Sequence, residues 1–415
     1  MKKINVCIAL LAALLAGACR QSKAPVLETG GSQSMPAVWI DKDTGHRVER
    51  LTGPQGNSRS FYFHNNPFIA GEPGKGDLMV YYGNVPDNTT DRRYTETGNR
   101  QLFTLNLKSG ESRQITHHPT RIFGEIVGKK GKNVFYQAGD SVFTTNIESL
   151  DTRLVFVFPD SIRGQVTTLN ADETLLGGVA SGPEKLELLR KYPNKHDYFK
   201  RIFEAKLPHS LFTINVENGG YTRIFGDTAW LNHVQFSPAD PNLLMFCHEG
   251  PWHLVDRIWT LDIRDPRPRL MHVRTVKGEI AGHEFFSPDG RTIWFDLQIP
   301  RSENFYLAGV DLATGTEKRY AMTRNEWSVH FNISPDEKIF AGDGGDPGQV
   351  ARAPDGMWLY LFTPVQDSLR SEKLVNMSHH DYSLEPNVHF TPDGKRVIFR
   401  ANFEGSSQIY AVDLK

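Results

Sequence analysis

Cysteine is scarce in this sequence, and its scarcity excludes several kinds of protein. Of the three cysteines, Cys7 and Cys19 lie near the N-terminus, which leaves Cys247 alone in the body of the chain. A single thiol cannot form an internal disulfide framework. It also argues against a thiolate nucleophile and against a cysteine-based zinc site.

Excess charge of one sign is also missing, as are long apolar runs beyond the N-terminus. The 47 basic and 48 acidic residues give a formal net charge of -1, so no global field would attract nucleic acid. A mean hydropathy of -0.43 excludes a protein with many membrane-spanning helices. An anionic ligand would therefore have to be held by local positive charge.

The apolar stretch at the N-terminus lies in residues 1–19, which read MKKINVCIALLAALLAGAC. Lysines, an apolar run and small residues before Cys19 are typical of an export signal that is too short to span a bilayer stably. We predict a lipoprotein signal peptide at 1–18 and a flexible tether at 19–37 that begins with lipidated Cys19. Ordinary cleavage after Ala18 is the alternative. The protein is then expected in the periplasm or on the cell surface of a Gram-negative bacterium, with residues 38–415 folded as a monomer.

The turn sequence Ser/Thr-Pro-Asp recurs along the body of the chain. It occurs in FSPDG at 286–290, ISPDE at 333–337 and FTPDG at 390–394, with a looser FSPAD at 236–240. A spacing of roughly 50 residues is typical of a repeated unit with room for four short strands.

Seven β-type runs accompany these turns. They are LFTLNL at 102–107, VFTTNI at 142–147, LFTINV at 211–216, IWTLDI at 258–263, LAGVDL at 307–312, WLYLF at 358–362 and IYAVDL at 409–414. We therefore predict an all-β, seven-bladed β-propeller. The last blade lacks an outer strand, and WIDKDTGHRVERLT at 39–52 predicts an N-terminal strand that closes it. The charged, partly helical segment 183–208 interrupts the repeat as either a wall of a binding site or a surface excursion.

Histidines recur at one register in these repeats. His233, His283 and His330 each stand five residues before a turn proline, and Asn387 takes that position in the last repeat. Equivalent strand positions point the same way, so the four side chains are predicted to surround a central channel at similar depth. Three imidazoles there favour metal or anion binding, and a hydrogen-bonded plug is the structural alternative.

Two further groups of polar residues accompany this register. Glu385, Asn387 and His389 alternate along the last inner strand, and mixed oxygen and nitrogen donors suit Mn²⁺, Ca²⁺ or Zn²⁺. The segment FCHEGPWHLVDRIW at 246–259 carries Glu249, His253 and Asp256 in addition to His248 and Arg257. An arginine beside histidines supplies the local positive charge that a carboxylate ligand needs.

The segment FCHEGPWHLVDR resembles oligogalacturonate lyases, as do WLNHVQFSP at 230–238, GHEFFSPDG at 282–290 and HFNISPDEKIFAGDGGDP at 330–347. The resemblance covers residues 39–415. It implies a seven-bladed propeller enzyme that cleaves acidic, uronate-containing oligosaccharides by β-elimination. Such a reaction needs a base for the C5 proton, a cation or arginine for the uronate carboxylate, and a proton source for the leaving oxygen.

The resemblance also implies roles for individual residues. His233 or His248 would be the base and Arg257 the group that neutralises the substrate carboxylate. A divalent metal would be bound by His283, Glu385, Asn387 and His389. The substrate would be contacted by His64, Arg163 and His330.

The chain departs from the family pattern in the residues expected to bind the metal. The family's His-Pro-His segment is Glu385-Pro386-Asn387 here, and Tyr382 replaces a glutamine. A lyase of the same fold acting on rhamnose-capped glucuronate of arabinogalactan, or on ulvan, is therefore an alternative. A non-catalytic TolB-like propeller that binds glycan or protein is a second alternative. A hydrolase ranks last because no carboxylate pair stands at a suitable register.

Overall fold

The chain folds into sheets of short strands, with one helical segment. The computed structural model describes residues 24–32, 34–53, 56–85, 99–346, 348 and 357–415. The strands are β1 (Val26–Leu27), β2 (Val38–Asp41), β3 (Arg47–Arg50), β4 (Ser58–Arg59), β5 (Phe68–Ile69), β6 (Leu78–Val85), β7 (Asn99–Asn106), β8 (Ser112–Gln114), β9 (Phe123–Gly128), β10 (Asn133–Ala138), β11 (Ser141–Asn146), β12 (Thr152–Val157), β13 (Arg163–Leu169), β14 (Leu175–Ser181), β15 (His209–Asn215), β16 (Tyr221–Asp227), β17 (Trp230–Phe236), β18 (Leu243–Glu249), β19 (Ile258–Asp262), β20 (Asp265–Leu270), β21 (Ile280–Phe286), β22 (Thr292–Gln298), β23 (Phe305–Asp311), β24 (Glu317–Met322), β25 (Phe331–Ile333), β26 (Phe340–Gly342), β27 (Trp358–Val365), β28 (Ser368–Asn376), β29 (His389–Phe390), β30 (Arg396–Ala401) and β31 (Gln408–Asp413). The α-helices are α1 (Pro183–Lys191) and α2 (Lys195–Ala205), and short 3₁₀ turns lie at Trp252–Leu254 and Arg324–Glu326.

Within this part of the chain the strands form six sheets. Three are four-stranded, with strands β9 to β12, β13 to β16 and β17 to β20, and a fourth contains β4 to β8. The eight-stranded sheet consists of two antiparallel halves, β21 to β24 and β25 to β28, joined by the single parallel pair of Ala321 with Ser368. The prediction of an all-β protein is confirmed.

Both ends of the described chain meet in the terminal sheet, whose order is β1-β2-β3-β31-β30-β29. Val48 of β3 pairs with Val412 of β31, so an N-terminal strand does extend the last unit. The strand β1 runs parallel to β2, and the buried Thr29 hydroxyl donates to Asp41 at 2.6 Å. The folded body therefore begins before residue 38, within the segment 19–37 that we predict as a tether. The signal peptide and Cys19 lie outside the described residues.

The seven predicted β-type runs all overlap strands, namely β7, β11, β15, β19, β23, β27 and β31. Each is the third strand of a unit and is paired on both sides. The neighbouring second strands, such as β22, are buried along nearly their whole length. Continuous apolar runs of this kind are expected where a strand is covered on both faces.

The Ser/Thr-Pro-Asp turns have a common hydrogen bond that explains why the sequence recurs. In each, the hydroxyl donates to the aspartate at 2.7 Å, as in Ser287 to Asp289, Ser334 to Asp336 and Thr391 to Asp393. The Ser287 hydroxyl also accepts from the backbone nitrogen of Thr292 at 3.0 Å. Side chains that satisfy backbone groups locally in this way favour tight turns.

The helical segment between β14 and β15 packs on the sheet of β17 to β20. The ring of Phe199 lies 5.3 Å from that of Trp230. At Gly250, where φ is +153°, an added Cβ would lie 2.5 Å from the ring of Phe203. The helices thus form a wall beside the end of β18 instead of extending into solvent. Neither helix is both long and apolar enough to cross a membrane.

Candidate functional site

Two of the register histidines lie in β-bulges, which set the direction of their side chains. The pairing of β17 with β18 shifts between Asn232 and Gln235, and that of β21 with β22 shifts between Gly282 and Phe285. His233 and His283 lie in these bulges with φ of 47° and 48°. A left-handed backbone is costly for a residue with a Cβ, and such conformations and bulges concentrate at functional sites.

The register histidines gather around Tyr62, which lies in the segment between β4 and β5. The Tyr62 ring centre is 5.1 Å from that of His64, 6.2 Å from that of His233 and 5.0 Å from that of His330. The rings of His283 and His330 are 4.9 Å apart. We call Tyr62, His64, His233, His283 and His330 the histidine cluster. Three of the four residues at the predicted register, His233, His283 and His330, therefore lie together, and they are joined by the predicted substrate contact His64 and by Tyr62, which was not predicted.

Two histidines of the cluster are each oriented by an aspartate. His283 Nδ1 lies 2.7 Å from Asp296 Oδ1, and His330 Nδ1 lies 2.7 Å from Asp343 Oδ2. Burial lowers the pKa of His283, but Asp296 outweighs that effect and raises it above the ordinary value. A carboxylate at Nδ1 fixes the ring and leaves Nε2 for a ligand or a proton. His64 has no such partner, and burial lowers its pKa well below the ordinary value.

Behind His233 lies a buried network of one arginine and two glutamates. Arg257 is 3% exposed, and it donates from Nη1 to Glu249 at 2.8 Å and from Nε to Glu284 at 2.9 Å. Burial alone would favour protonated carboxyl groups, but Arg257 holds the pKa of Glu249 well below its usual range. We call Arg257, Glu249 and Glu284 the Arg257 network. Because Nη1 and Nε bind these two carboxylates, the predicted role of Arg257 in neutralising a substrate carboxylate is not supported by these contacts.

His233 connects the histidine cluster to the Arg257 network. Its Nε2 lies 3.5 Å from Glu249 Oε2, and its side chain is 23% exposed. Among the residues that the structure describes, His233, Cys247 and Glu249 are the one group whose metal-ligand atoms all lie within 4.8 Å of one another. The site thus contains an accessible imidazole beside a buried, ionised carboxylate. That pairing suits a general base, because the carboxylate stabilises the imidazolium formed when the base takes a proton.

The predicted metal ligands in the terminal sheet are engaged elsewhere. Asn387 Oδ1 accepts from the Phe63 nitrogen at 2.9 Å, and its Nδ2 donates to the Glu385 carbonyl at 3.1 Å. His389 Nε2 lies 3.1 Å from the Asn65 carbonyl, and burial lowers the pKa of His389 to about 4. Asn387 and His389 therefore do not fit a metal site in this arrangement. Glu385 keeps its carboxylate 43% exposed and 3.8 Å from His330 Nε2.

Two other predicted residues lie apart from the histidine cluster. His248 stacks on Trp259 with ring centres 4.8 Å apart, and its Nε2 is 3.7 Å from Asp227. It points to the opposite face of β18 from Glu249, because neighbouring strand residues alternate. Arg163 pairs with Asp140 at 3.1 Å and lines a separate cavity. Of the two candidate bases, the structure brings only His233 to the cluster.

Four buried carboxylates that organise the site were not predicted from the sequence. Glu249, Glu284, Asp296 and Asp343 are each at most 6% exposed. A signal exists for Glu249, which stands in the polar segment 246–259. Asp296 lies within β22 and Asp343 directly follows β26, and a buried carboxylate in such an apolar run is itself informative.

The fold consists of repeated antiparallel units, and an accessible imidazole lies beside a buried carboxylate within it. This arrangement defines a scaffold for proton-transfer chemistry. A family model for oligogalacturonate lyase matches residues 34–415. The chain belongs to the oligogalacturonate lyase family, which confirms the resemblance seen in the sequence and the lyase class that it implies.

Individual relatives agree with this assignment. The oligogalacturonide lyase of Pectobacterium atrosepticum is 25% identical over 393 residues, which is 90% of this chain and 94% of that protein. The oligogalacturonate lyase of Dickeya dadantii is 24% identical over the same shares. The crystal structure of the Vibrio parahaemolyticus oligogalacturonate lyase superposes with a TM-score of 0.76 at 24% identity, covering 91% of this chain and 96% of that one. An oligogalacturonate lyase in complex with manganese gives a TM-score of 0.75 at 23% identity, with the same coverage. These two superpositions show a common fold.

Proposed function

We propose that the protein cleaves oligogalacturonate, or a closely similar uronic-acid-containing oligosaccharide, by β-elimination with His233 as the base. The observation that carries the proposal is the accessible His233 imidazole beside the buried carboxylate of Glu249. His233 takes the C5 proton, the C4–O4 bond breaks, and a double bond forms between C4 and C5. Glu249 stabilises the imidazolium that results.

The leaving oxygen needs a proton, and Tyr62 is placed to supply it. Its hydroxyl lies 3.2 Å from His330 Nε2, and burial raises the pKa of Tyr62 well above the ordinary value. The phenol therefore keeps its proton until the leaving oxygen takes it, and after product release the proton that His233 took from C5 is returned to Tyr62 through solvent. Arg257 keeps Glu249 ionised through the contact at 2.8 Å.

The test measures the unsaturated product by its ultraviolet absorbance, with oligogalacturonate as substrate. His233→Ala should lower kcat by about 10²–10⁴-fold, the usual range for loss of a general base. His248→Ala is the matched control, because it removes the same side chain from the other face of β18, and its activity should stay close to wild type. The proposal fails if His248→Ala is the more damaging change, or if wild-type protein releases no unsaturated product from oligogalacturonate, arabinogalactan or ulvan fragments.

A divalent cation, Mn²⁺, Ca²⁺ or Zn²⁺, is a further part of the proposal. A solved family member is in complex with manganese. In this chain His283 and Glu385 offer suitable donors. The ring of His283 lies 4.9 Å from that of His330, and the carboxylate of Glu385 lies 3.8 Å from His330 Nε2. When bound, the cation would neutralise the substrate carboxylate. Chelator should lower activity, and one of the three ions should restore it; full activity in chelator would contradict this part.

Two further proposals concern the number of blades and the export of the protein. The two four-stranded halves of the eight-stranded sheet, together with the other five sheets, support a seven-bladed propeller closed by β3. The leader sequence supports export and lipid anchoring at Cys19. A cryo-electron or crystal map would count the blades. Labelling with a radioactive fatty acid should be lost in Cys19→Ser.

A further inference from the structure

A cavity of about 320 Å³ lies between α1 and the sheet of β13 to β16. Its ionisable lining residues are Arg163, Lys185 and Asp140. Two cations against one anion leave the cavity with net positive charge in a protein whose overall charge is nearly zero. Its volume falls in the range of small-ligand sites.

Lys185 lines this cavity and has no strong partner. Its Nζ lies 5.2 Å from the centre of the Trp230 ring, and it has neither a hydrogen bond nor an ion pair with the described part of the chain. Burial lowers the pKa of Lys185 to about 8, so the ammonium is still charged at neutral pH. A partly buried charge with no hydrogen-bonded counterion is unfavourable, and an anionic ligand would relieve it.

Arg163 also retains an unused donor. Its Nη1 reaches Asp140 at 3.1 Å, yet its Nε is buried and has no hydrogen-bond partner. A guanidinium with a spare N–H can bind a second carboxylate while it keeps the first.

Lys185 is the residue of the cavity that faces the Arg257 network. Trp230 contacts Lys185 on one side and pairs with Glu249 across β17 and β18 on the other. Lys185 also interacts electrostatically with Glu249. Lys185 of the cavity and His233 of the histidine cluster therefore both interact with Glu249, which suits an oligosaccharide that reaches both.

We propose that this cavity is a second uronate subsite, in which Lys185 and Arg163 bind the carboxylate of a sugar unit neighbouring the one that loses its C5 proton. The inference rests on the proposed function for the identity of the ligand as a uronate. The helical segment then contributes specificity, because it supplies Lys185.

Calorimetry of full-length protein carrying His233→Ala, which prevents turnover, tests the subsite. The probes are trigalacturonate and its methyl ester. Adding Lys185→Met or Arg163→Met should weaken trigalacturonate binding by about tenfold, the effect of one charge-assisted contact. Binding of the methyl ester should change less than twofold, and Lys185→Arg should restore most of the affinity.

Lys200→Met is the matched control, since Lys200 is 74% exposed on α2 and pairs with Glu204. It removes the same charge from the same segment and should leave both affinities unchanged. Equal weakening for both probes, no weakening, or the same loss in Lys200→Met would overturn the subsite. If wild-type protein cleaves no uronate while Lys185→Met still weakens trigalacturonate selectively, the proposed function fails and the subsite stands.

Discussion

The sheet of β17 to β20 and the terminal sheet share one sequence register but use it for different purposes. His233 and Asn387 stand at equivalent positions, with φ of 47° and 51°. His233 keeps its imidazole beside Glu249, partly accessible. The amide of Asn387 is fully buried and accepts from the Phe63 backbone.

The neighbouring strands explain this difference. Beside His233, β18 presents Cys247 and Glu249. Beside Asn387, β30 presents Arg400, whose Nε donates to the Glu385 carbonyl at 2.7 Å and whose Nη1 donates to the Ser60 carbonyl at 2.8 Å. The carboxylate next to the register position pairs with the imidazole of His233, whereas the cation next to Asn387 binds carbonyl oxygens and holds the backbone in place.

Replacing Glu249 should give the largest effect on this comparison. Glu249→Gln keeps the shape but removes the charge that stabilises the His233 imidazolium, so kcat should fall by about 10–100-fold, as expected for a lost charged hydrogen bond of ~1.5–3 kcal/mol. KM should change little, because Glu249 is buried and is proposed to act through His233. Steady-state kinetics on oligogalacturonate measure both.

Glu284→Gln is the control for this change. It removes the other carboxylate that contacts Arg257. That carboxylate acts on His233 only through longer-range electrostatics, without an ion pair among the described residues. It should lower the melting temperature to a similar degree and reduce kcat less. If both variants lose kcat equally, Glu249 acts only by holding Arg257.

Asn387 should affect stability where His233 affects rate. Asn387→Ala leaves the Phe63 N–H buried and unpaired, which should cost about 1–3 kcal/mol in the free energy of unfolding. Asn387→Gly loses the same hydrogen bond but tolerates φ of 51°, so it separates backbone strain from the lost contact. Denaturant unfolding in chelator measures both. A metal ligand at this position would instead show a loss of metal affinity with unchanged stability of the chelated protein.

The periodic part of the molecule could be predicted from the sequence, and the contacts between distant segments could not. The seven β-type runs and the register of His233 and His283 follow from local alternation. Alternation along β18 could also have excluded His248. The hydrogen bond that Asn387 accepts comes from Phe63, which is 324 residues away in the chain, so no local sequence pattern predicts it. The pairing of Arg257 with Glu284 depends similarly on two different sheets.

The cations beside the two regions also differ in how they respond to pH, and this gives the smallest expected effect. Lys185 of α1 lies over Trp230 of β17, whereas Arg400 belongs to the terminal sheet. Arg400 stays charged at any ordinary pH, whereas burial lowers the pKa of Lys185 to about 8. Above that value Lys185 loses its charge, so KM for an acidic oligosaccharide should rise several-fold between about pH 7 and pH 9. Lys185→Arg should abolish the rise.

The groups that face Lys185 do not titrate in this window. Burial lowers the pKa of His209 to about 4, Arg257 holds the pKa of Glu249 well below its usual range, and burial raises that of Cys247 well above its usual range. Between pH 8 and the ordinary lysine range, the unfolded chain binds the Lys185 proton more tightly than the folded protein does, so this group makes folding more favourable as pH rises. Weaker substrate binding alongside undiminished thermal stability would therefore assign the rise in KM to Lys185, and a rise that persists in Lys185→Arg would assign it elsewhere.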